Sequence, residues 1–250
     1  AFRLCERTET IPFDRALADL DEIARSAEYV KLWWLPHTDA VIVFRTERTT
    51  DAGDVSKLAR WVDRVVVNGL GFAVLLLLGR FLSFLVPVLN RLVGKTYLSP
   101  RCTVGRSDEV LSLAMPPRHR EMEYAVPVEQ AAEALRQTRA LIEQGGLRVN
   151  LITEVRFVRG DAGWMSPASG SDVCQLGAYM ADARGIQTYF DSFEAAMKAL
   201  GGRPHWGKEL SCSAEEIRGM YPRAADWGIE VRRLDPDGVF TNPFLERLFD

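Results

Sequence analysis

One order of segments occurs twice in this 250-residue chain, and it restricts the fold more than any other feature. At the front, residues 2–12 alternate loosely and are rich in Thr, Arg and Glu, which predicts a strand. Residues 13–27 carry Phe13, Ala16, Leu17, Leu20, Ile23 and Ala24 at helical spacing. Two extended runs, 29–35 and 40–46, come next as a hairpin around the four-residue turn Pro36-His-Thr-Asp39, where His37 reads as an exposed or capping residue. The back half runs strand, helix, strand, strand, helix. Residues 122–126 are the first strand, and 129–145 the first helix, stopped by Gly145-Gly146. That helix turns Ala132, Leu135, Leu141 and Ile142 inward and Arg136, Arg139 and Glu143 outward. Then come strands at 149–159 and 173–180, a short extended piece at 164–167 between them, and a helix at 191–200 ending at Gly201. Such repetition predicts an α+β fold: a ferredoxin-like antiparallel sheet with helices on one face. The apolar fraction of 47% is ample for its core.

The middle of the chain departs from this pattern. After a polar linker at 50–57, residues 58–95 form an apolar helical insertion. Its uncharged run, 65–79, is shorter than the roughly 20 residues that cross a bilayer. Arg80 interrupts it, and Pro87 kinks or ends the second half. Three readings stay open: a buried or capping helical hairpin, a helix pair lying in one leaflet of a membrane, and a spanning helix. Residues 94–117 read as a loop with short apolar patches at Val110, Leu111, Leu113 and Met115.

Charge and cysteines exclude some function classes. A formal charge of −3 without a basic block gives no support for nucleic-acid binding. Cys5, Cys102, Cys174 and Cys212 lie far apart with no C-x-x-C pair, so no metal site is expected. Ala1 opens directly into a strand-like segment rather than a secretory leader, so a cytoplasmic or membrane-associated thiol protein is expected.

Two stretches carry chemistry. Residues 201–208, Gly-Gly-Arg-Pro-His-Trp-Gly-Lys, set two cations (Arg203, Lys208), an imidazole (His205) and an indole (Trp206) in a segment that glycine and proline keep out of a helix. It is a shaped, donor-rich loop, either a surface turn around a buried Trp or a ligand site. Glu154-Val-Arg156 lies in a strongly β-forming run, which puts Glu154 and Arg156 on one face roughly 6–7 Å apart. By itself this is an exposed ion pair or a site pair.

The segments 197–208, Met220-Tyr-Pro222, 233–242 and 244–249, with Met122-Glu-Tyr-Ala-Val-Pro127, 154–161 and Leu35-Pro-His-Thr-Asp39 upstream, resemble the FAD-linked aldonolactone oxidases, in order and along essentially the whole chain. The resemblance implies the substrate (cap) domain of a vanillyl-alcohol-oxidase-type flavoprotein over residues 1–250. It also implies an amino-terminal FAD-binding domain outside this chain, consistent with the lack of a G-x-G-x-x-G loop: Gly69-Leu-Gly71 has no third glycine. The implied cofactor is FAD, held mainly by that other domain. The implied reaction is hydride transfer from lactone carbon 2 to the flavin, giving a 2-keto lactone that enolises to an ascorbate-like product, with oxygen or another acceptor reoxidising the flavin. Glu154, Arg156 and Lys208 take the catalytic roles, Lys208 and Asn242 contact the cofactor, and Arg203, His205, Gln175 and Tyr179 are substrate-side candidates. Arg203 and His205 also shape the loop, and Trp206 packs. Several members are membrane-associated, which favours a membrane surface as a partner of 65–93. Related alditol oxidases offer a histidine from the strand matching 173–180. Here that strand reads Val-Cys-Gln-Leu-Gly-Ala-Tyr-Met, without one, which favours a lactone over a linear polyol. The alternatives are an alditol oxidase of the same superfamily and a non-catalytic module that docks to a membrane or partner.

Overall fold

The computed structural model describes residues 2–51, 72–97, 101–112, 118–181 and 184–249. Most of the 50–57 linker, the start of the insertion, and Leu113 and Met115 lie outside the described residues.

Eight antiparallel strands form one sheet: β1 (Arg3–Pro12), β2 (Tyr29–Trp34), β3 (Ala40–Arg48), β4 (Arg101–Arg106), β5 (His119–Pro127), β6 (Thr153–Val158), β7 (Val173–Ala181) and β8 (Arg203–Pro204). Their order is β4-β1-β3-β2-β6-β7-β5-β8. Each half is therefore a four-strand unit in which the first strand pairs with the third and the fourth adds at the outer edge. The two halves meet where β2 pairs with β6, Trp33 opposite Glu154. The ferredoxin-like repeat expected from the segment order is present twice, fused into a single sheet.

One face of the sheet is the core. The helices Ala131–Gln144 and Ile186–Ala199 bury Leu135, Ile142, Tyr189, Phe190, Phe193 and Met197. These meet Leu32, Trp34, Tyr124, Val155, Leu176 and Met180 from the strands. Each such side chain contributes about 1.5–3 kcal/mol by leaving water. The second helix ends where the sequence stops it. Gly201 takes a φ of +75°, Gly201 N donates to Lys198 O at 3.0 Å, and Gly202 N to Met197 O at 2.9 Å. This paired closure is open to glycine at the left-handed position, and it launches the 201–208 loop toward the sheet.

Several boundaries differ from the sequence reading. The helical stretch 13–27 is broken into Phe13–Ala18 and Leu20–Ala24. The 191–200 helix begins earlier, at Ile186, and the 149–159 strand is shorter, Thr153–Val158. Residues 164–165 form a turn rather than an extended piece. The 94–117 loop contains an edge strand, β4, and the short helix Ser107–Leu111. β4, Arg-Cys-Thr-Val-Gly-Arg, has only Cys102 and Val104 as apolar positions, and its conformation comes from pairing with β1. His37 holds the β2–β3 turn with a φ of 67°.

The described part of the insertion is two helices, Phe72–Phe81 and Val86–Tyr97, joined by a short 3-10 turn. Leu76 and Val86 are buried, and the buried Asn90 carboxamide donates to Pro36 O at 2.9 Å and Val149 O at 3.1 Å, fastening the pair to the body. The other side exposes Leu77, Phe81, Phe84, Val88 and Leu92. Among the described residues, no helix is long and apolar enough to cross a membrane.

Candidate active site

The face of the sheet opposite the core helices is polar, and the strand register shows how. Side chains alternate along a strand, and residues paired across strands share a face. The pairings Lys31–Arg156, Trp33–Glu154, Glu154–Gly177, Arg156–Gln175, Glu123–Gly177, Glu121–Tyr179 and Ala125–Arg203 therefore put all these residues on one side. Their neighbours in sequence, Leu32, Val155, Leu176, Met122 and Tyr124, point into the core. Charges on every second position of a half-buried strand are what this face requires.

Glu154 sits at its centre. One carboxylate oxygen accepts from Trp33 Nε1 at 2.9 Å, and the other from the Tyr179 hydroxyl at 3.0 Å. Arg156 Nε lies 3.5 Å from that second oxygen. So many donors hold the carboxylate in one orientation. Arg156 also donates from Nη2 to both oxygens of Glu123, at 2.7 and 2.8 Å. The Glu123 side chain is only 1% exposed, against 41% for Arg156. Burial pulls the Arg156 guanidinium down, but the Glu123 and Glu154 carboxylates more than offset this and hold it above its ordinary value.

Lys208 reaches the same face from the loop. Its ammonium contacts the Glu121 carboxylate and lies 6.0 Å from the centre of the Tyr179 ring. The other Glu121 oxygen meets His119 Nε2. Burial lowers the Lys208 pKa from the usual lysine value. Burial, then the Glu154 charge, pushes the Tyr179 phenol well up, so it is a hydroxyl at any working pH. Gly177 makes room for that ring: a Cβ there would stand 2.5 Å from Tyr179 Cε2.

The three expected catalytic residues thus converge. Tyr179 links them, hydrogen-bonded to Glu154 and next to Lys208. Gln175 lies on this face beside Arg156. Arg203 shares the face, but its guanidinium donates to Met220 O at 3.1 Å and Ser169 O at 2.8 Å, tying loop to helix rather than reaching the cluster. His205 accepts from Gly207 N through Nδ1 at 3.1 Å and shapes the loop. Trp206 packs on Tyr221 and Phe249 and donates to Met165 O at 2.7 Å. Asn242 is exposed, and its side-chain oxygen accepts from Phe244 N at 3.0 Å and Leu245 N at 3.1 Å, opening the helix Pro243–Phe249. An asparagine just before a proline and an apolar run is a cap signal, and that role engages its side-chain oxygen.

Sequence reading missed Glu121, Glu123, His119, Lys31 and Trp33. The signal was present in His119-x-Glu121-x-Glu123, three titratable groups at period two in a strand that alternates them with Arg120, Met122 and Tyr124. Lys31, near Glu6 at 3.9 Å and over the Trp33 and Phe44 rings, continues the polar face toward β1. Burial, only partly opposed by Glu6 and Glu154, lowers its pKa.

Two half-exposed cations beside an anchored carboxylate fit the electron-rich ring of a reduced flavin together with a polyhydroxylated substrate. Residues 1–248 match the family model for D-arabinono-1,4-lactone oxidase. The chain is 30% identical over 255 residues to L-gulonolactone oxidase of Scyliorhinus torazame, covering 100% of this chain and 58% of that protein. It is 29% identical over 235 residues to L-gulono-1,4-lactone dehydrogenase of Mycobacterium tuberculosis strain ATCC 25618 / H37Rv, covering 94% and 54%. The chain spans little more than half the length of these relatives. A solved structure of a solvent-stable cholesterol oxidase shares the fold at a TM-score of 0.77 and 17% identity, over 100% of this chain and 60% of that one.

Proposed function

The chain belongs to the D-arabinono-1,4-lactone oxidase family, and on that premise we propose that it is the substrate-binding and catalytic part of a flavin-dependent sugar-1,4-lactone oxidase or dehydrogenase. The observation that carries this reading is the convergence of Glu154, Arg156, Tyr179 and Lys208, from β6, β7 and a loop, on one polar face.

On this reading residues 1–250 are the cap domain, and the cofactor is FAD, bound mainly by a separate amino-terminal domain. When bound, the flavin supplies the two-electron acceptor for a CH–OH to C=O oxidation. This chain's residues do the rest. A lactone hydroxyl donates to Glu154, which takes its proton directly or through Tyr179: the phenol passes its own proton to Glu154 and receives the substrate's. Arg156 and Lys208 stabilise negative charge developing on the substrate oxygen and on the cofactor ring, without reorganising at the moment of reaction. Gln175 is within this face to accept or donate to further hydroxyls. An ascorbate-like product forms if the 2-keto lactone enolises.

The test uses the flavin-loaded whole protein with L-gulono- and D-arabinono-1,4-lactone. Glu154→Gln and Lys208→Ala should each keep the flavin and lose at least about 10²-fold in turnover, the usual scale for a positioned acid–base or charge-stabilising group. Normal turnover in both variants rules the assignment out.

A membrane surface is the partner proposed for residues 65–93. The described part exposes Phe81, Phe84, Leu77, Val88 and Leu92 on one side of a pair fixed to the body by Asn90. Residues 64–107 contain Arg64, Arg80, Arg91, Lys95, Arg101 and Arg106 and no acidic residue, a composition suited to lying on an anionic leaflet. Flotation with anionic vesicles should be lost in Phe81→Glu/Phe84→Glu; equal flotation of that variant argues against it.

A further inference from the structure

We infer that Glu121 and Glu123, two residues apart on β5, are positioning residues, each fixing one of the two cations of the candidate site: Glu121 holds the Lys208 ammonium and Glu123 the Arg156 guanidinium. The inference rests on the lactone-oxidase reading for its functional consequence, while its geometric core stands without it.

Glu123 is the buried member. A carboxylate out of water persists only with a cation and hydrogen bonds to satisfy it. Arg156 supplies both by donating to each of its oxygens. Glu154 and Glu123 lie on either side of Gly177 in the register, and one guanidinium reaches both carboxylates. Glu123 therefore sets how far Arg156 leans from Glu154, and with it where the positive charge points.

Glu121 acts on the loop as well as on the ammonium. Its backbone carbonyl accepts from Glu209 N at 3.0 Å, and the Glu123 carbonyl accepts from His205 N at 2.9 Å. The 205–209 segment is thus laced to β5 on both sides of Lys208. With the backbone held, the Glu121 carboxylate selects the Lys208 rotamer that lies over the Tyr179 ring. The groups facing that ammonium are Glu121 and His119 from β5, Tyr179 from β7, and Glu154 on β6 through the Tyr179 hydroxyl. On its own loop stand His205 and Glu209, the latter engaged by Arg120 at 2.7 Å. Burial disfavours the charged lysine, and a carboxylate in contact with an ammonium favours the charged form.

Lys208 should therefore lose its proton at lower pH when Glu121 is neutral. The test compares wild type, Glu121→Gln and Glu121→Asp in the flavin-loaded whole protein. Lysine side-chain NMR titration reads Lys208 directly, and the pH profile of kcat/KM with a sugar lactone reads its consequence. In Glu121→Gln the Lys208 midpoint and the alkaline limb should both fall, by about one pH unit if the ion pair contributes a tenfold bias between protonation states. Glu121→Asp should recover most of the shift. Glu123→Gln should lower kcat with KM nearly unchanged and leave the Lys208 midpoint in place. An unmoved midpoint and limb in Glu121→Gln overturn the Lys208 half, and wild-type kcat in Glu123→Gln overturns the Arg156 half. If no sugar lactone reduces the wild-type flavin, the proposed function has failed, and the NMR titration still decides the positioning.

Discussion

Adding one methyl group at Gly177 tests the site through a residue that carries no functional group. A Cβ there would stand 2.5 Å from Tyr179 Cε2 and 3.1 Å from both Cζ and the hydroxyl oxygen. Carbon contacts are comfortable at about 3.5–4.0 Å, so the ring must move by about 1 Å. The hydroxyl now sits 3.0 Å from Glu154 Oε2, and such a shift takes it out of hydrogen-bond range. Losing a hydrogen bond to a charged acceptor costs about 1.5–3 kcal/mol. Replacing glycine in the unfolded chain returns about 0.4–1 kcal/mol. The net for Gly177→Ala is therefore a destabilisation of about 0.5–2.6 kcal/mol, measurable by urea unfolding. Turnover should suffer more, by about 10²-fold, because a displacement of about 1 Å at reacting groups has that effect. The assay is single-turnover flavin reduction by lactone in the whole protein. A cycle with Tyr179→Ala isolates the cause: with the ring gone the methyl has nothing to displace, and Gly177→Ala should add nothing further. Wild-type reduction in Gly177→Ala, or an equal loss in the Tyr179→Ala background, refutes the claim that this ring positions Glu154.

Three further outcomes are expected. Arg156→Met strands the buried Glu123 and should cost about 3–5 kcal/mol in chemical denaturation, while Arg156→Met/Glu123→Leu should recover most of it, so the single variant mixes folding with catalysis. The Cys5 and Cys102 sulfurs lie 3.4 Å apart on neighbouring strands, so hydrogen peroxide should convert the two thiols to one disulfide with release of two waters, read by mass spectrometry after thiol labelling. Burial, then Cys102, raises the Cys5 pKa, so the reaction should quicken as pH rises, whereas Cys174, pushed up to about 12 by burial, stays reduced. In wild type, activity that needs a charged Lys208 is complete below the lysine's midpoint and lost as pH rises through it; burial holds that midpoint below the ordinary lysine value, and a kcat/KM profile flat through the lysine range contradicts the role.

Much of this was legible in the sequence, for identifiable reasons. The doubled strand–helix–strand–strand order held because helices such as Ala131–Gln144 have a clear apolar stripe and clean stops. Glu154, Arg156 and Lys208 stood out as charges in a strand and a glycine-bounded loop, and the resemblance to the aldonolactone oxidases supplied their proposed roles. Edge strand β4 was missed because its two apolar residues, Cys102 and Val104, are too short a pattern to stand out and its shape comes from β1. The carboxylates Glu121 and Glu123 were missed because their partners are 87 and 33 residues away, and no local pattern says which cation a strand will meet. Asn242, implied by the resemblance to lie beside the cofactor, also caps a helix, a role its place before Pro243 signals.

The most direct measurement is the electron density of a sugar lactone, or a non-reacting analogue, bound to the flavin-loaded whole protein. The lactone should lie on the β2–β6–β7–β5 face, with a ring hydroxyl within about 3.2 Å of Glu154 or the Tyr179 hydroxyl and an oxygen in reach of Lys208 or Arg156. A lactone bound with none of these four side chains in contact contradicts the assignment of this face as the active site.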